Sequence, residues 1–211
     1  MNKSFLSFAA AGSIMSIIFL VIVNLLTSPE TIWYIYPSLA FILWPIYIYS
    51  LQRGKYKSFS LLVSLFLVIY LITQNYISTP SYPWFLYAIY PIIWWPILIF
   101  LGKHTKLFKV SLFGSISTIV YYSLLNGILS PEYPWAIYPA FVVLWWPLAT
   151  YYAKNKRYYE FSISSSLLIS TFFITVNIIS SPHTIWAVYP IFVVLWWPLS
   201  MYFYSYKRKG H

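Results

Sequence analysis

The chain contains no cysteine and no aspartate. Without cysteine it has no disulfide framework, no thiolate metal site and no thiol nucleophile. Its acids are only Glu30, Glu132 and Glu160, and its histidines are His104, His183 and His211, all far apart in the sequence. That leaves no paired carboxylates, no Ser-His-acid set and no two ligands at metal spacing. The six glycines form no P-loop, no Rossmann fingerprint and no glycine-rich ion filter. No acid, lysine or arginine lies deep in an apolar run, and proton- or sodium-coupled transport usually needs one. These absences predict a protein that is not an enzyme and holds no cofactor and no metal.

What is present is apolar and aromatic. The chain is 61% hydrophobic and 8% charged, with a mean hydropathy of +0.72, whereas soluble domains are about a quarter charged. The composition is that of an integral membrane protein. The apolar start "MNKSFLSFAAAGSIMSIIFLVIVNLL" has the look of a signal peptide, but it is also the first span of a repeating unit and is taken as that.

The net charge of +10 does not point to nucleic acid, because of where the cations fall. They form five clusters: Lys3; Arg53, Lys55 and Lys57; Lys103, Lys106 and Lys109; Lys154, Lys156 and Arg157; and Lys207, Arg208 and Lys209. Every cluster lies between units or at a terminus, the positive-inside pattern of a multi-pass protein of the cell membrane. Both termini are therefore expected in the cytoplasm, with the cations facing anionic head groups.

"SPETIWYIYPSLAFILWPI" starts at Ser28, "TPSYPWFLYAIYPIIWWPI" at Thr79, "SPEYPWAIYPAFVVLWWPL" at Ser130 and "SPHTIWAVYPIFVVLWWPL" at Ser181, a constant step of 51 residues. Four ungapped copies, 5–55, 56–106, 107–157 and 158–208, thus fill one transmembrane domain, 1–211. Each copy holds two apolar runs. The first is Phe8–Thr27, Phe59–Ser78, Val110–Leu129 or Phe161–Ser180, long enough for a hydrocarbon core of about 30 Å. The second follows the Ser/Thr-Pro step and reaches the next basic cluster. Ser28, Thr79, Ser130 and Ser181 suit the N-cap of that second helix, with Pro29, Pro80, Pro131 and Pro182 at its first position and Glu30 and Glu132 near its positive end. The expectation is an all-α fold of eight transmembrane helices in four tandem hairpins, with very short extracytoplasmic tips. Because each unit crosses twice, all four share one orientation, and they close into a pseudo-fourfold ring or pack as a compact bundle.

Proline recurs inside the second run, as Pro37/Pro45, Pro139/Pro147 and Pro190/Pro198, while repeat two has Pro91 and Pro96. Interior prolines kink a helix and free a carbonyl that protein or water must satisfy. A re-entrant turn at "IWYIYP" followed by a half-span is the alternative to a kinked full span.

Several columns recur in all four copies. Trp33, Trp84, Trp135 and Trp186, with Tyr36, Tyr87, Tyr138 and Tyr189, suit an aromatic belt at the outer interface. Trp44, Trp95, Trp146 and Trp197 fall deeper, about 22 Å from the outer end if the helix starts at the Ser-Pro step. They either fill gaps left by kinks or offer an aromatic surface to an apolar, cationic or lipid ligand. Asn24, Asn75, Asn126 and Asn177 either tie down the tips or form a polar ring near an outer mouth. Ser13, Ser64, Ser115 and Ser166 either let helices approach or line the same path.

Asparagine at the end of one span, a Pro-Trp tip and "WW" in the next span, clearest in "LITQNYISTPSYPWFLYAIYPIIWW", resemble the small bacterial "2TM domain" modules. The resemblance falls once on each copy and implies a two-span hairpin unit. Those modules commonly carry Trp-Gly and a following His in the second span. Here Pro45, Pro96, Pro147 and Pro198 stand after the tryptophan, and no His follows. Two functions fit the whole pattern. One is a non-enzymatic component that binds a lipid, a membrane-active peptide or a membrane-protein partner through its Trp/Tyr/Pro surfaces. The other is a pseudo-tetrameric passive channel for ions or small solutes.

Overall fold

The computed structural model describes residues 3–206 and is all-helical, with no strand among them. The basic cluster at Lys207, Arg208 and Lys209, and His211, lie outside the described residues. The helices are α1 (Lys3–Thr27), α2 (Ile35–Gln52), α3 (Tyr56–Ser78), α4 (Phe85–Leu101), α5 (Phe108–Leu129), α6 (Ile137–Asn155), α7 (Tyr158–Ser180) and α8 (Val188–Met201). A 3-10 turn, Gly102–Lys106, precedes α5, and a π-helical turn, Tyr202–Tyr206, follows α8. Five segments are long and apolar enough to cross a membrane: Ser4–Thr27, Tyr56–Ser78, Phe85–Lys106, Phe108–Leu129 and Tyr158–Ser180.

The odd helices end where their apolar runs end and begin two to five residues earlier. The even helices differ from expectation. Ser28, Thr79, Ser130 and Ser181 do not cap them. Thr79, Ser130 and Ser181 instead terminate the odd helices as C-caps, with φ of −148°, −152° and −153° and ψ of 71°, 61° and 64°. The even helices start six or seven residues later, at Ile35, Phe85, Ile137 and Val188. The prolines that follow the Ser/Thr sit at the second position of tight turns, closed by Thr31 N–H to Ser28 O at 3.2 Å, Tyr82 N–H to Thr79 O at 3.2 Å and Thr184 N–H to Ser181 O at 3.1 Å. Proline suits that turn position as well as it suits a helix start, since both need the same φ.

Two consequences follow for the prolines and tryptophans. Pro37, Pro139 and Pro190 become third residues of their helices, where no intrahelical N–H bond is lost, so α2, α6 and α8 each hold one interior proline: Pro45, Pro147 and Pro198. Trp44 becomes the tenth residue of α2, about 14 Å from its start rather than 22 Å, which places it near mid-helix.

The chain forms two compact units, Met1–Phe100 and Leu101–His211. In the first, α1 pairs with α2, α2 packs on α3, and Ser64 of α3 bonds to α4. In the second, α5, α6, α7 and α8 pack in series. An aromatic cluster supports each unit around one phenylalanine. Phe59 meets Tyr47 of α2 and Trp95 of α4, with ring centroids 5.6 and 6.4 Å away. Phe161 meets Trp145 and Tyr152 of α6 and Trp197 of α8, at 6.4, 5.8 and 5.7 Å.

The interior is small and polar, and the exterior is large and apolar. The largest fully buried side chains are serines, among them Ser60, Ser111, Ser115 and Ser162, while Leu26, Phe113 and Ile185 stand at least 70% exposed (79%, 70% and 80%). A water-soluble protein has the reverse order. Surrounded by hydrocarbon, helices gain nothing by hiding leucine and associate instead through small residues and hydrogen bonds.

Gly114 marks the closest approach. A Cβ there would run into the Trp146 ring, and that indole is held by its N–H bond to Thr105 O at 3.2 Å. Gly12, at the same place in the first copy, has nothing within 4 Å of such a Cβ. Gly114→Ala is expected to destabilise the protein by about 1–3 kcal/mol through overpacking, and Gly12→Ala to be neutral or slightly stabilising. Thermal unfolding of the two variants in detergent checks this.

Candidate functional site

Each asparagine of the first polar column sits one turn before the end of an odd helix, and its amide organises the tip beyond it. Asn24 Nδ2 donates to Ser28 O at 2.7 Å and to Thr31 O at 2.8 Å, and its Oδ1 accepts from Trp33 N–H at 3.1 Å and Tyr34 N–H at 3.3 Å. Asn75 donates to Thr79 O and Tyr82 O and accepts from Phe85 N–H. Asn126 donates to Ser130 O and Tyr133 O and accepts from Ala136 N–H. Asn177 donates to Ser181 O and Thr184 O and accepts from Ala187 N–H. All four are buried, between 2% and 6% exposed.

This arrangement explains the late start of the even helices. Tyr34, Ala136 and Ala187 are the N-cap residues of α2, α6 and α8, and none has a side-chain cap of its own. The orphan N–H groups at a helix start need an acceptor, and here the preceding helix supplies it. Both amide hydrogens and the carbonyl oxygen are bonded within the tip, which approaches the full capacity of an asparagine.

The serine column does a second job. Ser64 Oγ donates to Ile92 O at 3.0 Å, Ser115 Oγ to Val143 O at 2.7 Å and Ser166 Oγ to Val194 O at 3.4 Å. Each acceptor lies four residues before an interior proline: Pro96, Pro147 and Pro198. Proline has no N–H to give to that carbonyl. The neighbouring helix of the hairpin therefore supplies the missing donor, a role that the tryptophan N–H groups also suited. The first copy departs: Ser13 Oγ, 3% exposed, has no hydrogen-bond partner.

A third column, not singled out by the sequence, is Ala9, Ser60, Ser111 and Ser162, each with no exposed surface. It lies one helical turn before the serine column and makes a small-xxx-small line in every odd helix, the spacing that lets helix backbones approach. Its hydroxyls bond within their own helices, Ser60 to Lys57 O, Ser111 to Phe108 O and Ser162 to Tyr159 O, and Ser111 also shares a hydrogen bond with Thr150 Oγ1 of α6. The fourfold recurrence and the four-residue offset were the available signal.

The tryptophans divide by depth. Trp33, Trp84, Trp135 and Trp186 lie just before the even helices, half-buried. Trp84 Nε1 donates to Thr79 Oγ1 at 2.9 Å, Trp135 packs edge-on to Tyr122 and Trp186 to Phe173. In the tyrosine column, Tyr87 and Tyr138 stack on Tyr82 and Tyr133 and share hydroxyl hydrogen bonds with them. The bond to Tyr138 holds the Tyr133 phenol above its ordinary pKa. Tyr36 and Tyr189 point outward, 54% and 74% exposed. In the deeper column Trp95 and Trp146 are half-buried, whereas Trp44 and Trp197 are exposed.

No family model, curated protein or solved structure matches the chain. Among the described residues, no three His, Asp or Glu side chains gather where a metal ion could sit, and the one ion pair is Arg157 Nε to Glu160 Oε1 at 3.0 Å. Two apolar grooves are present. One of about 320 Å³ runs between α2 and α3 and the other, of about 450 Å³, between α6 and α7. They occupy equivalent places, since Ile46, Ser50, Leu62 and Phe66 of the first correspond to Leu148, Tyr152, Ser164 and Leu168 of the second.

Removing the tip amide strands several backbone groups at once. Asn126→Leu is expected to destabilise the protein by about 3 kcal/mol, and Asn126→Asp, which keeps the acceptor, by roughly half as much. Chemical unfolding in detergent micelles is the measurement. A double-mutant cycle tests the serine–proline pairing. Ser115→Ala alone is expected to cost about 1 kcal/mol. In a Pro147→Ala background, where residue 147 regains an N–H for Val143 O, the same change is expected to cost almost nothing.

Proposed function

We propose that the chain is a non-enzymatic, multi-pass protein of the cell membrane with eight spans, arranged as four tandem hairpins of 51 residues. Their tips are extracytoplasmic and both termini cytoplasmic. It acts by binding an amphipathic ligand of the bilayer, a lipid, a membrane-active peptide or a partner membrane protein, through its outward aromatic and apolar surfaces. The odd helices and the α4 segment are long enough to span. At 18 and 19 residues, α2 and α6 reach about 27–29 Å, close to the hydrocarbon thickness. The hairpin with its asparagine, Pro-Trp tip and tryptophan pair is similar to the bacterial "2TM domain" modules, which supports the two-span unit.

One observation carries the functional reading: most buried polar side chains are bonded inside the hairpins, the hydroxyls of Ser13, Ser38 and Ser165 being without a partner. The asparagines hold the tips and the serines hold the proline-freed carbonyls, so few polar groups remain for a permeating solute or for chemistry. Outward-facing tyrosines, tryptophans and two apolar grooves remain as recognition surface. The passive-channel reading draws weaker support, because the amides of its ring are already bonded. What favours it is the unpartnered, buried Ser13 hydroxyl.

The test is reconstitution into liposomes, measuring potassium, sodium, chloride and glycerol flux, alongside native mass spectrometry of the protein purified from membranes. The expected outcome is no flux and a co-purifying lipid, peptide or protein. Retention of that ligand should fall when exposed Trp44 and Trp197 are changed to alanine. Solute flux, together with labelling of a Ser13→Cys variant by a membrane-impermeant thiol reagent, would establish the channel instead.

A further inference from the structure

The two equivalent grooves differ in charge at their basic end. The groove between α2 and α3 is walled by Leu43, Ile46, Leu62 and Phe66, with Lys55 and Ser58 lining its end. In the repeat, Lys55 corresponds to Arg157 and Ser58 to Glu160. In the second unit those two residues form the ion pair, both partly exposed at 48% and 40%. Such a pair adds little to stability, but it neutralises Arg157 and leaves Lys154 and Lys156 at the connection between α6 and α7. In the first unit a serine hydroxyl stands where the glutamate would be, and Lys55 makes no ion pair. The first groove is thus an apolar channel ending in an uncompensated ammonium group and a hydroxyl donor. At about 320 Å³ it falls in the usual size range of small-ligand sites, ~300–1,000 Å³.

We infer that the α2/α3 groove is a discrete site for one anionic phospholipid, with an acyl chain along Leu43, Ile46, Leu62 and Phe66 and the phosphate against Lys55 and Ser58. The inference rests on the membrane-binding reading above and narrows its ligand to one lipid class at one place. The chemistry is complementary at both ends. An acyl chain matches the apolar walls, and a headgroup of net charge −1 neutralises a lysine at the membrane surface, where each cation attracts anionic lipid by about 1 kcal/mol. A zwitterionic headgroup would bring its own cation to the same lysine. The α6/α7 groove has no cation in its lining, and the nearby Arg157 is paired with Glu160, so its preference for an anionic headgroup is weaker.

The experiment is native mass spectrometry of the full chain in detergent, titrated with dioleoylphosphatidylglycerol or dioleoylphosphatidylcholine. The wild type is expected to hold one phosphatidylglycerol at least about tenfold more tightly than phosphatidylcholine. Lys55→Glu should abolish that preference, and Leu62→Trp, which fills the groove, should remove the tight site. Glu160→Ser should create a second phosphatidylglycerol site by freeing Arg157. Equal binding of both lipids by the wild type overturns the inference, as does unchanged phosphatidylglycerol binding by Lys55→Glu. In either case, retention of lipid that depends on Trp44 and Trp197 leaves the broader reading standing. Failure of the wild type to retain either lipid, or any ligand from native membranes, removes both.

Discussion

In hydrocarbon every backbone carbonyl and N–H must find a partner within the protein, and prolines and helix breaks make that hardest to satisfy. This chain introduces both repeatedly. Each even helix carries a proline in its interior and begins after a turn that exposes its first N–H groups. The asparagine and serine columns answer these two demands, one at the tip and one near mid-helix. Both partners, an acceptor at the tip and a donor near mid-helix, come from the odd helix of the same hairpin. In the second, third and fourth hairpins, the pairing of α3 with α4, α5 with α6 and α7 with α8 is a hydrogen-bonding requirement as much as a packing preference.

Packing follows from that pairing. For a serine hydroxyl to reach a carbonyl on the next helix, the backbones must approach closely, so the facing positions are small: Ala9, Ser60, Ser111 and Ser162, and glycine at Gly114, where the Trp146 indole lies against the helix. Bulky side chains are displaced outward, where Leu26, Phe113 and Ile185 stand exposed. Aromatic rings collect between neighbouring hairpins, around Phe59 and Phe161, and at the tips.

The functional surface is thus what the hairpins leave over. Most of their internal polar groups are engaged, so the proposed binding draws on the outer aromatics, the grooves and the cations at the connections. The contrast between Lys55 with Ser58 and Arg157 with Glu160 shows how copies of one unit acquire different surfaces without disturbing the shared interior. Gly54 and Lys156 show the reverse: equivalent residues at two connections adopt the same left-handed conformation, with φ of +68° and +52°. Glycine does so freely, whereas lysine bears about 1–2 kcal/mol of strain.

By itself the sequence determined the helical membrane character, the 51-residue period, the C-terminal ends of the odd helices and the columns of Asn, Ser, Trp and Tyr. Hydropathy and residue identity carry that information locally. It could not settle where the even helices begin. Ser28 followed by Pro29 satisfies the preferences of an N-cap and of a tight turn equally, because proline has the same φ in both. The choice fell to Asn24 and its equivalents, whose amides reach seven to ten residues along the chain, and only the folded hairpin brings those groups together. For the same reason the serines read as small spacers in the sequence. Their role as donors to the carbonyls freed by Pro96, Pro147 and Pro198 exists only across the 28 residues that separate the two helices, so tertiary structure alone decided it.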